Sequence, residues 1–195
     1  MPAIFSEEQK EKLQIRLLTT GFELLKKYGY RRMTIDEVTK SCGIAKGTFY
    51  HFFKGKEEFI YRIMLYERDL ERKKLTDRLT PDGVLTKGAF KEWMLDMIHD
   101  DVNVFSYMSQ EEITLLTSAW PEEYLLNVSN DEHTSLWILS MIPDKQKDCD
   151  WKIFVNYLKG LAIVNTYKNI LNPDAADLFI DRFMDDLIRY VWGTV

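Results

Sequence analysis

Apolar residues return every three or four positions along most of this chain, the spacing of one helix face, and strand-type alternation is scarce. Leu13, Leu17, Gly21, Leu24 and Tyr28 trace one such face. They predict a first helix that ends at Tyr28-Gly29-Tyr30, with Gly29 suited to a left-handed C-terminal cap. Thr34 followed three residues later by Glu37 is the arrangement of a capping box and opens a short second helix. That helix turns Ile35 and Val38 inward and stops near Ser41-Cys42-Gly43. A third short helix is predicted from about Ala45 to Phe52, broken by Lys54-Gly55-Lys56. A long fourth helix runs from about Lys56 to Leu79 and ends at Thr80-Pro81-Asp82-Gly83.

Beyond that turn the pattern predicts helices over about 86–99, 101–119, 122–139, 150–169 and 174–191, with Pro121, Pro143 and Pro173 at the breaks. No internal repeat, low-complexity run or long linker interrupts them. The fold class is therefore all-α, with a small three-helix head over 1–55 joined to a helical body over 56–195.

Composition supports this picture. Hydrophobic residues make up 46% of the 195 positions and charged residues 29%, enough for a sizeable core and unlike a disordered chain. Charges interrupt the apolar stretches well short of the roughly 20 residues that a membrane span needs. Residues Met1 to Lys12 lack the apolar core of a secretory signal, and two cysteines (Cys42 and Cys149) are too few for a disulfide scaffold. A cytoplasmic location is expected.

The charge is uneven. Residues 1–60 carry 11 Lys and Arg against 8 Asp and Glu, while the rest carries 15 against 23, so a head of +3 and a body of −8 make up the net −5. Either this is a chance fluctuation or the head meets a polyanion and the body does not. All five tryptophans (Trp93, Trp120, Trp137, Trp151 and Trp192) lie beyond residue 60.

Two short helices joined at Gly43 have the helix-turn-helix pattern, which many helical corners share. The third helix says more. On a helical wheel Ala45, Phe49 and Phe52 fall on one side, and Lys46, Gly47, Tyr50 and His51 on the other. A glycine inside a helix costs roughly 1 kcal/mol relative to alanine. Gly47 is either a tolerated surface glycine or a position where the backbone must approach a groove floor. Tyr50 can donate to a phosphate, and Lys46 can reach a phosphate or a guanine edge. His51 taken alone fits an ordinary surface histidine.

The run from Thr34 to Phe59, TIDEVTKSCGIAKGTFYHFFKGKEEF, resembles the signature of TetR-family transcriptional regulators. The threonine cap, the turn glycine, Lys46-Gly47-Thr48, Tyr50-His51-Phe52 and the following lysine stand at the family's spacing, and the resemblance covers about residues 8–60. It implies a helix-turn-helix DNA-binding domain over 1–55 and a C-terminal helical domain for ligand binding and dimerisation over 56–195. It also implies that Thr34 touches DNA phosphate while capping its helix. Lys46, Gly47, Thr48 and His51 would face the major groove, and Tyr50 and Lys56 would anchor the DNA backbone. Arg31 and Arg32 are either further phosphate contacts or solvated arginines. Two residues depart from the pattern. Ala45 stands where a Ser or Thr usually caps the recognition helix, at a cost of about 1 kcal/mol. Thr39 replaces a small alanine where the two helices cross.

In the body, Phe154, Leu158, Leu161 and Val164 form one stripe, and Phe179, Phe183, Leu187 and Val191 form another. Such stripes are core, or they build a four-helix bundle between two subunits, and the resemblance implies that homodimer. Two copies of the head about one DNA turn apart, roughly 34–36 Å, would demand a near-palindromic double-stranded operator. The stretch 93–137 is rich in large adaptable side chains: Trp93, Met94, Met97, Phe105, Tyr107, Met108, Trp120, Tyr124 and Trp137. They are either core packing or the lining of a cavity for a small aromatic or hydrophobic effector, with Trp93, Met97, Phe105, Met108, Trp120, Tyr124 and Trp137 as the candidate lining. Glu111, Glu112 or His133 would supply polar contacts there.

No enzyme is expected. His51, His99 and His133 are scattered, no phosphate loop appears, and neither a metal site nor a cofactor is anticipated. Acidic pairs such as Asp100-Asp101 and Asp185-Asp186 read as helix surface or caps, and the Asn127-Val128-Ser129 sequon would not meet glycosylation machinery in a cytoplasm. The reading is a ligand-responsive repressor. Its rival is a ligand-independent architectural or chromosome-organising DNA-binding protein on the same fold.

Overall fold

A computed structural model describes residues 6–100, 103–128 and 131–193, and among them every regular element is helical. The chain divides into two compact units, 1–69 with 103–125, and 70–102 with 126–195.

In the first unit, helix α1 (Glu7–Arg32) begins at a Ser6–Gln9 capping box and breaks at Gly29, whose φ is +74°. Its buried face is Leu13, Leu17, Leu18, Gly21, Phe22 and Leu25, so the inward stripe ends on Leu25 while Leu24 is half-buried and Tyr28 exposed. Helix α2 (Ile35–Ser41) starts at the Thr34–Glu37 capping box. The chain turns through Gly43 at φ +63°, a left-handed value that glycine adopts without strain. The amide of Ile44 then donates to the Thr39 carbonyl (3.0 Å). Helix α3 (Lys46–Phe49) is a single α-turn, shorter than the periodicity suggests, and continues as turns through Phe52. Its inward residues are Phe49 and Phe53, both fully buried, whereas Ala45 is exposed. Phe49, Phe53 and Phe59 form a triangle of rings with centroids 4.8–5.1 Å apart. A Cβ on Gly21 would stand 2.4 Å from Phe59 Cζ, so a larger residue where α1 meets helix α4 (Lys56–Thr76) would have to displace the buried Phe59 ring.

The single helix expected over 101–119 is instead a 3₁₀ turn (Val104–Tyr107) followed by helix α6 (Gln110–Ser118). Ser109 interrupts it, with a capping box to Glu112 that starts a new helix and removes the old one's continuity. Residues 101 and 102, including Asp101, lie outside the described residues. This segment packs within the first unit: the Tyr107 ring meets Phe22 edge-on at 6.0 Å. Helix α7 (Glu122–Val128) follows Pro121, and Ser129 of the sequon lies outside the described residues.

The second unit contains the end of α4, α5 (Lys87–Asp100), α8 (Asp131–Ser140), α9 (Trp151–Thr166) and α10 (Ala176–Trp192). Asp150 caps α9, and a 3₁₀ turn (Lys168–Ile170) follows it. Leu75, Leu85, Phe90, Met94, Ile138, Phe154, Leu161, Met184, Leu187 and Val191 form its core. The predicted turn at 80–83 is present, closed by the Gly83 amide on the Thr80 carbonyl (2.8 Å). Among the described residues no helix is long and apolar enough to cross a membrane.

Candidate nucleic-acid interface

The head presents one short helix whose two sides differ sharply. Phe49 is fully buried, while Lys46, Gly47, Tyr50 and His51 are exposed and Thr48 is half-buried. Tyr50 is 49% exposed, its ring edge resting on Phe49 at 5.6 Å, so packing aims the phenol outward without enclosing it. Among the described residues no atom lies within 4 Å of where a Cβ on Gly47 would stand, so packing within the protein does not require this glycine.

The cations differ in their commitments. Lys46 Nζ lies 2.8 Å from Asp36 Oδ1 on α2, and that hydrogen bond raises the lysine's pKa above its ordinary value. Lys56 is half-buried: its ammonium donates to the Tyr30 carbonyl and sits 4.1 Å from the centre of the Tyr30 ring. Burial lowers the Lys56 pKa, opposed by Glu57, Glu112 and Glu37. The side chain expected to anchor DNA backbone therefore also ties the last turn of α1 to the start of α4. Thr34 is exposed, but its hydroxyl donates to Glu37 Oε2 (2.9 Å) while accepting from the Glu37 amide (3.2 Å). Arg31, Arg32, Lys40 and Lys54 are exposed as well. The turn is braced from behind, where Arg16 Nη2 donates to the Cys42 carbonyl (2.9 Å).

Both departures from the family pattern are structural facts. Ala45 supplies no side-chain cap to α3. Thr39 is buried and places its hydroxyl on the Asp36 carbonyl (3.1 Å), which satisfies the polar group at the helix crossing.

The seven aromatic and methionine candidates divide between the units. Trp93, Met97 and Trp137 belong to the second: Trp93 is buried with its indole donating to the Glu71 carbonyl (3.2 Å), and Arg72 lies over the Trp137 ring. Phe105, Met108, Trp120 and Tyr124 belong to the first. There Tyr124 stacks on Tyr61 with ring centroids 3.8 Å apart, and Trp120 donates to the Glu57 carbonyl. Glu111 and His133 are exposed, and Glu112 is used as a cap.

The apolar stripes divide in a similar way. Phe154, Leu161 and Leu187 are fully buried in the second unit, so they hold α9 and α10 within one chain. Leu158 and Phe183 are half-buried, and Phe179 is 47% exposed. Missed by the first periodicity is an offset set on α9 and the turn after it, in which Ile153, Ile163 and Tyr167 are all exposed. The signal was there, since these residues repeat at helical spacing one position off the core stripe.

Comparison with known proteins agrees with this geometry. Residues 17–63 match the model for bacterial regulatory proteins of the TetR family. The chain is 35% identical over 198 aligned positions to the uncharacterized HTH-type transcriptional regulator YerO of Bacillus subtilis, covering 93% of this chain and 65% of that one. It is 28% identical over 89 residues to the HTH-type transcriptional repressor NemR of Escherichia coli, covering 46% of this chain and 43% of NemR. It thus spans 65% of the length of YerO and less than half of NemR. In fold it is similar to the regulatory protein TetR from Rhodobacter sphaeroides, with a TM-score of 0.60 at 18% identity over 91% of this chain and 97% of that one. Over residues 17–63 the chain is thus similar to the TetR family of bacterial regulatory proteins, and over most of its length it is similar in fold to a solved member.

Proposed function

We propose that this protein is a DNA-binding transcriptional repressor that reads a near-palindromic operator as a homodimer and releases it when a small aromatic or hydrophobic molecule binds its C-terminal helices. The observation that carries the reading is the two-sided α3. One short turn buries Phe49 and leaves Lys46, Gly47, Tyr50 and His51 to solvent, the composition of a major-groove surface. Repression follows NemR, a relative described as a transcriptional repressor. Dimerisation is supported by the apolar residues that α9 and α10 leave uncovered, Ile153, Ile163 and Phe179. The half-buried Met97 and Trp137 support the effector reading, because such side chains adapt to a guest without opening a core.

Helix α4 supplies residues to both units. An effector that favours one tilt of α4 would change the separation of the two recognition helices and so the affinity for DNA. The test is selection of bound duplexes from a random DNA pool. Enrichment of a near-palindrome is the expected result. Binding without enrichment that vanishes at moderate salt would support the architectural alternative instead.

A further inference from the structure

The lysine at the start of the recognition helix is already paired. Its partner, Asp36, is not among the residues that the family resemblance assigns to DNA, yet its carboxylate lies 2.8 Å from Lys46 Nζ and both side chains are more than half exposed. The backbone that carries Asp36 is well held. The Thr34–Glu37 capping box fixes the first turn of α2, the Thr39 hydroxyl bonds the Asp36 carbonyl, and the Ile44 amide bonds the Thr39 carbonyl. The backbone therefore sets the point from which the Asp36 side chain reaches Lys46 on α3.

That placement changes what Lys46 can bind. A phosphate oxygen brought to Lys46 meets the like charge of Asp36 and must displace it. A guanine edge presents neutral acceptors, O6 and N7, to the remaining ammonium protons and incurs little of that repulsion. A cytosine amino group nearby would find an acceptor in the carboxylate itself.

We propose that Asp36 is a specificity-determining positioning residue, holding Lys46 away from phosphates and directing it to base edges. The proposal rests on reading α3 as the DNA-contacting helix. It assigns Asp36 little role in stability, because an exposed ion pair contributes little and Glu37 remains to interact with the dipole of α2.

The test uses the full chain and two duplexes, one enriched by selection and one of the same composition in shuffled order. Binding is titrated from about 50 to 200 mM salt for the wild type, Asp36→Asn, Asp36→Glu, Lys46→Met and the Asp36→Asn/Lys46→Met double variant. Asp36→Asn should steepen the salt dependence on shuffled DNA by about one phosphate contact, an extra three- to four-fold change over that range. It should tighten binding to shuffled DNA more than to the enriched duplex, so that discrimination falls. Asp36→Glu, which keeps the charge, should retain the wild-type slope. In the Lys46→Met background the slope change should disappear. An unchanged slope and ratio in Asp36→Asn, or the same slope change without Lys46, would overturn the proposal. If the wild type enriches no duplex, the DNA-reading assignment fails and takes this proposal with it, a result visible before any variant is made.

Discussion

The indole Nε1 of Trp120 donates to the backbone carbonyl of Glu57 at 3.2 Å, tying the residues after α6 to the first turn of α4. Four residues on, the Tyr124 ring lies parallel to that of Tyr61, with 4° between the planes. Residues 103–125 are thus built into the same unit as the helix-turn-helix, although 33 residues of the second unit separate them from it in sequence. In the effector response proposed above, a change reaching this segment would have a direct mechanical route to α4. Trp120→Phe keeps most of the buried ring and removes the hydrogen bond, so stability should fall by about 1 kcal/mol. Trp120→Ala should cost about 3–5 kcal/mol. Urea denaturation followed by far-ultraviolet circular dichroism checks both.

The exposed apolar positions of α9 and α10 separate assembly from folding. Phe179→Asp adds a charge to a half-exposed position, so it should abolish the proposed dimer in sedimentation while the monomer keeps its helical content. Leu187→Asp buries the same charge in a closed core and should unfold the second unit. A Phe179→Asp protein that remains dimeric would move the interface to another face.

Much of the head could be read from the sequence because its signals are local. A threonine and a glutamate three residues apart, a turn glycine and the inward Phe49 each act within one turn of chain, whereas the second inward ring is Phe53 and not the Phe52 of the helical wheel, because α3 gives way to turns after Phe49. The body was harder for reasons equally physical. Met108 and Ser109 sit inside an apolar period that runs on smoothly, and only the capping pair Ser109–Glu112 reveals that the helix restarts there. Periodicity also cannot say what covers a stripe. Phe154 and Leu187 have the spacing of an interface, but they pack within their own chain, whereas Ile153 and Ile163, each one position before a stripe residue of α9, and Phe179 at the start of the α10 stripe are uncovered. Nor does a count of aromatics between 93 and 137 reveal that Trp120 and Tyr124 pack with the head while Trp93 and Trp137 pack with the second unit. The Asp36–Lys46 pair joins residues ten apart across a turn and becomes visible only once α2 and α3 are placed.

Cys149 gives the second unit an alkaline limit. Burial raises its thiol pKa above the ordinary 9.0, with Lys145 opposing and Asp148 reinforcing, Tyr190 opposing through a hydrogen bond, and Asp150 reinforcing. The folded state therefore holds this proton more tightly than the unfolded chain. Its contribution is fully present below pH 9.0 and is lost as pH rises through the higher folded value. The urea midpoint should decline above that pH, and Cys149→Ala should remove part of the decline. Parallel denaturation series from pH 8 to pH 10.5 for the two proteins provide the comparison.

The DNA-reading role proposed for the open side of α3 turns on Gly47. A Cβ there meets no atom within 4 Å among the described residues, and alanine is the better helix former. Gly47→Ala should leave stability unchanged or raise it by up to about 1 kcal/mol. Its affinity for the enriched duplex should nevertheless fall about tenfold or more, roughly 1.4 kcal/mol, because the added methyl group enters the gap between backbone and groove. Lost binding in a protein at least as stable as the wild type is the predicted result. Undiminished binding would make Gly47 an ordinary solvated glycine and place the DNA contact on another surface.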